Sequence, residues 1–227
     1  MEGSERYLDA GTPVHSPSRG EPARSPATPI VFVVHDDVAV RDSLQLLGGR
    51  AGWQVETFAS VSRFLARPRA SVPSCLVLGV GLLDANGTEM RQRLADRPAM
   101  PFIFIAGFAD VPTAVRAMKA GAAEFLIKPL ADELLLSALR HALQRSRTAL
   151  AREAELETLR QSYASLSGRQ REVMALVACG RLNKQVAAEL GISEITVKAH
   201  RGKMMRKMGA RSLPALVNMA TKLFPTA

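Results

Sequence analysis

The chain has 227 residues, 47% of them hydrophobic, and its 30 basic and 21 acidic side chains give a net charge of +9. This length and apolar content suffice for one large or two small hydrophobic cores, which excludes a wholly disordered protein. No apolar run approaches the roughly 18 residues that span a membrane, and the first residues lack the basic start and apolar middle of a signal peptide, so we expect a cytoplasmic protein.

Residues 1–28 place four prolines among serines, glycines and charged residues without any periodicity. This composition predicts a disordered tail. Beyond the tail the chain has two cysteines, Cys75 and Cys179, which lie far apart and each in apolar surroundings. We therefore expect two buried thiols rather than a disulfide or a metal site.

Five short apolar runs alternate with helical segments between residues 29 and 145. The runs are IVFVV, WQVETF, CLVLGV, FIFIAG and EFLIKP, and the segments between them, such as VAVRDSLQLLGG, have helix-spaced apolar residues and glycine stops. Strands this apolar are buried on both faces, so the pattern predicts an α/β domain, a doubly wound parallel sheet of about five strands covered by helices.

Ligands and chemistry collect at the carboxyl ends of the strands in such sheets. The residues at those ends are His35, Asp36 and Asp37 after the first strand, Gly79 on the third, Ala106 and Gly107 on the fourth, and Lys128 on the fifth. With the stretches VVHDDVAVRDSL, CLVLGVGLL and VPTAVRAMKAGAAEFLIKP, residues 29–145 closely resemble the receiver domain of bacterial response regulators similar to FixJ. The resemblance implies a flavodoxin-like (βα)5 fold.

Receivers of this family hold Mg²⁺ with an acid pair after the first strand and accept a phosphoryl group on an aspartate that ends the third. A Thr or Ser ends their fourth strand, and a lysine precedes proline on the fifth. The resemblance places His35 and Asp36 at the acid pair, Gly79 at the phosphoacceptor and Ala106 at the hydroxyl position. Glycine has no carboxylate for in-line attack on phosphorus, and Mg²⁺ prefers oxygen to a histidine nitrogen. The resemblance therefore implies a degenerate receiver, without a phosphoacceptor, whose control is independent of phosphorylation.

The pocket keeps other residues of the receiver pattern as structure. Asp37 and Asp84 are conceivable substitute acceptors, but Asp84 has the character of a turn residue. Lys128 is expected to form a buried ion pair with Asp36, and the bond from Lys128 to Pro129 resembles the family's cis peptide. The remnants of the pocket are His35, Asp36, Asp37, Gly79, Ala106, Phe125 and Lys128.

Phe125 aligns with the aromatic residue that swings inward when receivers are activated. Two interpretations stay open for it. The small side chain of Ala106 leaves room for Phe125 to stay inward permanently, or Phe125 is an ordinary packed phenylalanine.

A helix is predicted to continue from Asp132 out of the receiver and through a linker at residues 146–162. Its apolar residues mostly repeat at spacings of three, four or seven: Leu139, Leu143, Leu150, Leu156, Leu159, Tyr163 and Leu166. This repeat allows a seam that pairs two chains. The alternative is one long helix that packs on its own domains, because a strict heptad repeat is lacking.

The last segment carries most of the chain's net positive charge. Residues 165–227 hold 11 basic and 3 acidic side chains, a net charge of +8. Within residues 163–227, a capping box is predicted at Ser167 and Gln170, and Ala187, Gly191 and Val197 have the spacing of a helix-turn-helix. Together with GRLNKQVAAELGISEITVKAHR, this segment closely resembles the LuxR-type DNA-binding domain, a small four-helix unit.

The resemblance places the second helix of the motif, Ser193 to Met208, in the major groove. Lys198 and Ala199 match base-contacting positions of the family, with Arg201 alongside, while Gly202 occupies a third such position and reaches nothing. Cationic and hydroxylic residues that flank the helix are phosphate candidates. The DNA-binding candidates are Lys184, Ser193, Thr196, Val197, Lys198, Ala199, Arg201, Gly202, Lys203 and Arg206.

We therefore expect a sequence-specific transcription regulator rather than an enzyme, with no cofactor and no metal. Its expected partners are double-stranded promoter DNA and a second copy of the chain, with RNA polymerase as a candidate contact and no membrane. Two alternatives are an interaction protein that sequesters a partner regulator through its receiver face, and a regulator that senses a ligand in the pocket vacated near Gly79.

Overall fold

The computed structural model describes residues 27–79, 81, 92, 94–108 and 111–225. The predicted tail, apart from its last two residues, lies outside the described residues, and so does Asp84. Among the described residues no helix is both long and apolar enough to cross a membrane.

The receiver half is built on a sheet of five parallel strands in the order β2-β1-β3-β4-β5. The strands are β1 (Ile30–Val34), β2 (Gln54–Phe58), β3 (Ser74–Gly79), β4 (Phe102–Ala106) and β5 (Glu124–Ile127). All five coincide with predicted runs, so the predicted sheet is confirmed. Burial on both faces holds for β1, β3 and β4, whereas β2 and β5 are partly exposed because they are the edge strands.

Helices cover both faces of this sheet. They are α1 (Val38–Arg50), α2 (Val61–Leu65), α3 (Val111–Lys119) and α4 (Asp132–Ala164). One core forms around Phe32, Phe64 and Phe104, and the second places the first part of α4 against the opposite face. Two cores on opposite sides of a parallel sheet are the doubly wound architecture that the sequence predicts.

The linker has no boundary with the receiver, because α4 runs for 33 residues from one domain into the other. Three leucines of α4 pack on domains of the same chain: Leu139 and Leu143 lie in the receiver core, and Leu159 lies in the C-terminal core. Leu150 and Leu156 are half-buried. The structure thus favours one long helix packed on its own domains over an exposed seam.

Polar contacts join the region of the linker to both domains. On the receiver side, Arg69 forms an ion pair of 2.7 Å with Glu153. On the other side, Lys222 reaches Glu155 at 2.6 Å, and Lys207 Nζ donates to the carbonyl of Ser165 at 2.6 Å.

Four further helices follow α4 in the C-terminal half. They are α5 (Gly168–Ala178), α6 (Asn183–Leu190), α7 (Glu194–Met208) and α8 (Leu213–Leu223). The predicted capping box starts α5, where the Ser167 side chain accepts from Gln170 N–H and the Gln170 side chain accepts from Ser167 N–H. Val173, Val186 and Met204 are fully buried in the core that these helices share.

The two thiols differ in their exposure. Cys75 is fully buried in β3, and burial raises the pKa of its thiol far above the ordinary value. Cys179 is exposed, so the prediction of two buried thiols is wrong for this residue. Cys179 is the residue that ends α5, where the chain leaves the core and turns toward solvent at Gly180.

Candidate receiver pocket and nucleic-acid interface

The carboxyl edge of the sheet brings His35 against Gly79. Because β1 and β3 are paired in parallel register, the residues that end them are neighbours. A Cβ atom placed on Gly79 would lie 2.7 Å from Cδ2 of His35, closer than side-chain atoms approach one another. The side chain of His35 is buried, at 10% exposure. Among the described residues, the space beside Gly79 is therefore filled by the ring of His35.

The ring of His35 links a lysine to a carboxylate. Its Nε2 atom lies 3.1 Å from Lys128 Nζ, and its Nδ1 atom lies 3.0 Å from Asp36 Oδ1. An ammonium group can only donate, so Nε2 accepts from Lys128, and a neutral ring then carries its hydrogen on Nδ1, facing Asp36. The Asp37 N–H lies 3.0 Å from both Nδ1 and Asp36 Oδ1, and in this tautomer it donates to the carboxylate.

This arrangement corrects the expected ion pair between Lys128 and Asp36. His35 lies between them, and Asp36 extends into solvent, with its side chain 68% exposed. Burial, and next the positive charge of Lys128, lower the pKa of His35 below its ordinary value, against smaller opposing effects of Asp36 and Asp37. The ring is therefore neutral at neutral pH.

The pocket does not fit Mg²⁺, the ion that the resemblance implies. Mg²⁺ demands oxygen ligands in octahedral geometry, whereas position 35 offers an imidazole already bonded on both nitrogens, and Gly79 offers no side chain. The carboxylate of Asp37 is the N-cap of α1 and accepts from Ala39 N–H at 2.8 Å. Arg41 donates to the carbonyls of His35 and Asp36 at 2.6 and 2.8 Å, which fixes this loop.

The remaining receiver positions are structural. Ala106 is buried at the end of β4, and Phe125 is half-buried and packs against the core around Phe104. This packing fits both interpretations of Phe125. The peptide bond between Lys128 and Pro129 is cis, as the resemblance implies.

The C-terminal half contains a helix-turn-helix formed by α6 and α7. Gly191 ends α6 with a φ of +64°, a conformation that favours glycine, and Ile192 N–H donates to Ala187 O at 3.1 Å across the turn. Ser193 then caps α7, because its Oγ accepts from Thr196 N–H at 3.1 Å. The predicted motif therefore has the local geometry that positions α7 on the surface.

The candidate DNA-binding residues divide between two sides of α7. Val197 is fully buried, with 0% exposure, so its place among the DNA-binding candidates is wrong: it belongs to the core that holds α7 in place. Arg201 is half-buried, and its Nη1 donates to Asn183 Oδ1 at 2.9 Å, which binds α7 to the start of α6. Ser193 and Thr196 bond to each other, with 2.8 Å between their hydroxyl oxygens.

The opposite side of α7 is open to solvent, and we call it the outer face. It comprises the exposed residues Ile195, Lys198, Ala199, Lys203 and Arg206, with Gly202 half-buried among them. Lys184 is exposed at the start of α6. Lys198 is held by Glu194 at 3.2 Å, one helical turn before it. Sequence reasoning missed Ile195, although counting residues around the helix from the buried Val197 places it on this face.

The two halves of the chain match two families of known proteins. Residues 31–140 match the response regulator receiver domain, and residues 164–220 match the bacterial regulatory proteins of the luxR family. The chain is 45% identical over 195 residues to Nodulation protein W of Bradyrhizobium diazoefficiens, covering 86% of each chain. It is 38% identical over 194 residues to the transcriptional regulatory protein FixJ of the same species, covering 85% of this chain and 94% of that one.

A solved structure spans the same two halves. The response regulator StyR shares 44% sequence identity with the chain and superposes with a TM-score of 0.73, covering 86% of this chain and 100% of that one.

Proposed function

Because this chain is a response regulator that joins a receiver domain to a LuxR-type DNA-binding domain, and so is a transcription regulator, we propose that it binds specific promoter DNA through α7 without phosphorylation of its receiver. It acts in the cytoplasm as a pair of chains, with RNA polymerase as a further contact. The receiver in this proposal is degenerate and serves as a fixed scaffold.

The packing of His35 against Gly79 carries the proposal of phosphorylation independence. Restoring a carboxylate at position 79 would bring its Cβ atom to 2.7 Å from the His35 ring, and Lys128, the lysine that would face a phosphoryl group, is bonded to that same ring. Phosphoryl transfer to a receiver depends on an acceptor carboxylate, a free lysine and a bound metal ion. Here Gly79 replaces the acceptor, Lys128 is bonded to His35, and His35 is unsuited to Mg²⁺.

The outer face of α7 supports the proposal of DNA binding. Lys198, Lys203 and Arg206 are exposed on a helix whose other side is anchored by Val197 and Met204. Cations on an exposed helix of a motif that enters the major groove neutralise phosphates and reach base edges.

An apolar surface of the receiver supports pairing of two chains. It comprises exposed residues before α3, on α3 and on the edge strand, namely Phe108, Val111, Val115, Met118 and Ile127. We call it the α3–β5 face. Since the leucines of α4 are packed on their own domains, this face is the surface that we assign to a second copy of the chain.

The first test compares DNA binding with and without a small phosphodonor. Purified protein is incubated with acetyl phosphate and Mg²⁺, and its affinity for a selected DNA site and the incorporation of labelled phosphate are measured. We expect no label and unchanged affinity. Label on the protein together with tighter DNA binding would refute phosphorylation independence.

The second test separates base contacts from phosphate contacts. Lys198→Ala should cost about 1 to 3 kcal/mol on the selected site and much less on random DNA, whereas Lys203→Ala should weaken both alike. Equal losses on both DNAs for Lys198→Ala would contradict its assignment to a base edge.

Sequestration of a partner regulator remains the second candidate function, because the α3–β5 face is also suited to a different receiver. Full-length variants in which neutral residues replace the cations of the outer face would distinguish sequestration from direct regulation through DNA. Regulation that survives the loss of DNA binding would favour sequestration. The ligand-sensing alternative has no support beside Gly79, where the His35 ring fills the space.

A further inference from the structure

The outer face of α7 has an isoleucine at its leading end. Ile195, the second residue of α7, is 79% exposed, whereas Val197, Met204 and Met208 of the same helix are buried. With 3.6 residues per turn, Ile195 lies about 160° around the helix from Val197. It therefore points directly away from the domain core.

The residues behind Ile195 on the same line of the helix are small. Ala199 is one turn further on, and Gly202 follows, where an added Cβ atom would meet nothing closer than Arg206 Nη1 at 3.9 Å. Side chains on a helix lean toward its N-terminus, so the branched Ile195 projects forward while Ala199 and Gly202 leave the middle of the face low. This shape lets the start of α7 go deepest into a groove.

The line formed by Ile195, Ala199 and Gly202 offers no hydrogen-bond donor or acceptor from its side chains. Lys198 and Lys203 lie to either side of it, with Lys198 drawn toward Glu194 at 3.2 Å, and Arg206 closes the far end of the line, where its guanidinium reaches back toward Gly202. Whatever lies under Ile195 in the complex must therefore be matched by apolar contact. In the major groove, the C5-methyl group of thymine is the apolar feature that a base presents.

We propose that Ile195 is a specificity-determining residue that packs on the 5-methyl group of a thymine in each half-site. The inference rests on the proposed DNA-binding function and deepens it. The first residues of a recognition helix are the ones that contact base edges. Thymine is distinguished here from cytosine, which presents an amino donor and no methyl group, so the contact selects a T·A pair without a hydrogen bond.

A single exposed isoleucine is by itself unremarkable on a protein surface. Two further features separate Ile195 from the exposed Leu134 of the receiver: it leads the helix that faces DNA, and it heads a line without polar side chains. Leu134, which is 59% exposed in the first turn of α4, is therefore the matched control.

The experiment removes one methyl group at a time from the DNA. A site is first selected from a pool of random duplexes with the full-length chain, and each thymine of the selected site is then replaced by deoxyuridine, which lacks only the 5-methyl group. We expect one thymine per half-site at which the replacement weakens binding about three- to fivefold, the effect of uncovering one buried methyl group.

The same scan with variants tests the partner of that methyl group. In Ile195→Ala the replacement should change the affinity by less than about 1.5-fold at that thymine, since a double-substitution cycle isolates the coupling between the two groups. Leu134→Ala should keep the full effect and should bind random DNA as the parent does. Circular dichroism should show unchanged helix content, because Ile195 contributes nothing to the core.

Two results would overturn the inference. The first is a flat deoxyuridine scan of the parent protein, and the second is an undiminished effect in Ile195→Ala. In both cases the protein still selects a DNA site, so the proposed function stands. If the pool yields no enriched site, the proposed function fails, and the inference fails with the proposed function.

Discussion

At the scale of single residues, the contact between His35 and Gly79 makes a mutational series informative. Gly79→Asp alone should destabilise the receiver by about 1 to 3 kcal/mol, the usual cost of overpacking, because its Cβ atom would lie 2.7 Å from the His35 ring. The variant should also take no label from a phosphodonor. Adding His35→Asp should relieve the clash and restore Mg²⁺ binding and labelling, and adding Ala106→Thr should couple labelling to DNA affinity.

Gly107→Asp is the matched control for this series. An added Cβ atom at Gly107, just beyond the end of β4, would meet no described residue within 4 Å. Thermal unfolding should therefore show little change for Gly107→Asp. Efficient labelling of the single variant Gly79→Asp, with a rise in DNA affinity, would contradict the view that the switch has been dismantled.

The same histidine makes the stability of the receiver depend on pH. Burial and Lys128 lower the pKa of folded His35 below 6.5, so as the pH falls through 6.5 the unfolded chain takes up a proton before the folded one does. The contribution of His35 to the free energy of unfolding should therefore be constant above pH 6.5. It should decrease as the pH falls below 6.5 and level off below the pKa of the folded His35.

Urea denaturation at pH 7 and pH 5 measures this effect. His35→Gln should lose less stability between the two values than the parent, while His141→Gln, at an exposed position of α4, should behave as the parent does. An identical loss in the parent and in His35→Gln would show that His35 does not govern the pH dependence.

The pocket shows where sequence reasoning stops at the residue scale. The positions of His35, Gly79, Ala106 and Lys128 follow from the strand ends and from the receiver resemblance. The expected pair of Lys128 with Asp36 was wrong because a sequence does not tell which way a ring turns. The orientation of the His35 ring depends on the space beside Gly79, and that space exists only once β1 and β3 have packed side by side.

At the scale of elements, the start of α6 lacks a side-chain cap. Gln185 accepts from Leu182 N–H at 2.9 Å, which is one half of a capping box, but Leu182 has no oxygen to accept from the helix in return. Leu182→Ser should therefore stabilise α6 by about 0.5 to 2 kcal/mol. Amide hydrogen exchange of α6 measures the gain, with Leu182→Ala as control, and equal protection in the two variants would rule out the missing cap.

The elements themselves were largely predictable, and their partners were not. Apolar runs bounded by turn residues identified all five strands, and the capping box identified the start of α5. The leucine repeat of α4 identified a helix but not what covers it, because spacing alone cannot distinguish a second chain from the helix's own domains. Leu143 and Leu159 settle the matter only through the cores into which they pack.

At the scale of the whole molecule, the charge distribution predicts a strong dependence of DNA binding on salt. Residues 165–227 carry 11 basic and 3 acidic side chains, and phosphates neutralised by this surface release counterions. Between 50 and 200 mM salt the affinity for DNA should fall about a thousandfold or more. Arg206→Gln should make the salt dependence shallower and Arg50→Gln, on the receiver, should not; an affinity independent of salt would contradict the electrostatic part of the proposal.

The unbroken α4 also constrains how the protein can change over evolutionary time. At 1.5 Å and 100° per residue, its 33 residues form a rod about 50 Å long in which every inserted residue turns the DNA-binding domain against the receiver. Insertion of one or two residues near Ala151 would swing that domain by about 100° or 200°, whereas seven residues bring it back to within about 20° of its starting orientation. The linker can thus lengthen or shorten in steps of about two helical turns, and intermediate lengths would change the orientation that the proposed binding of two chains to two half-sites requires.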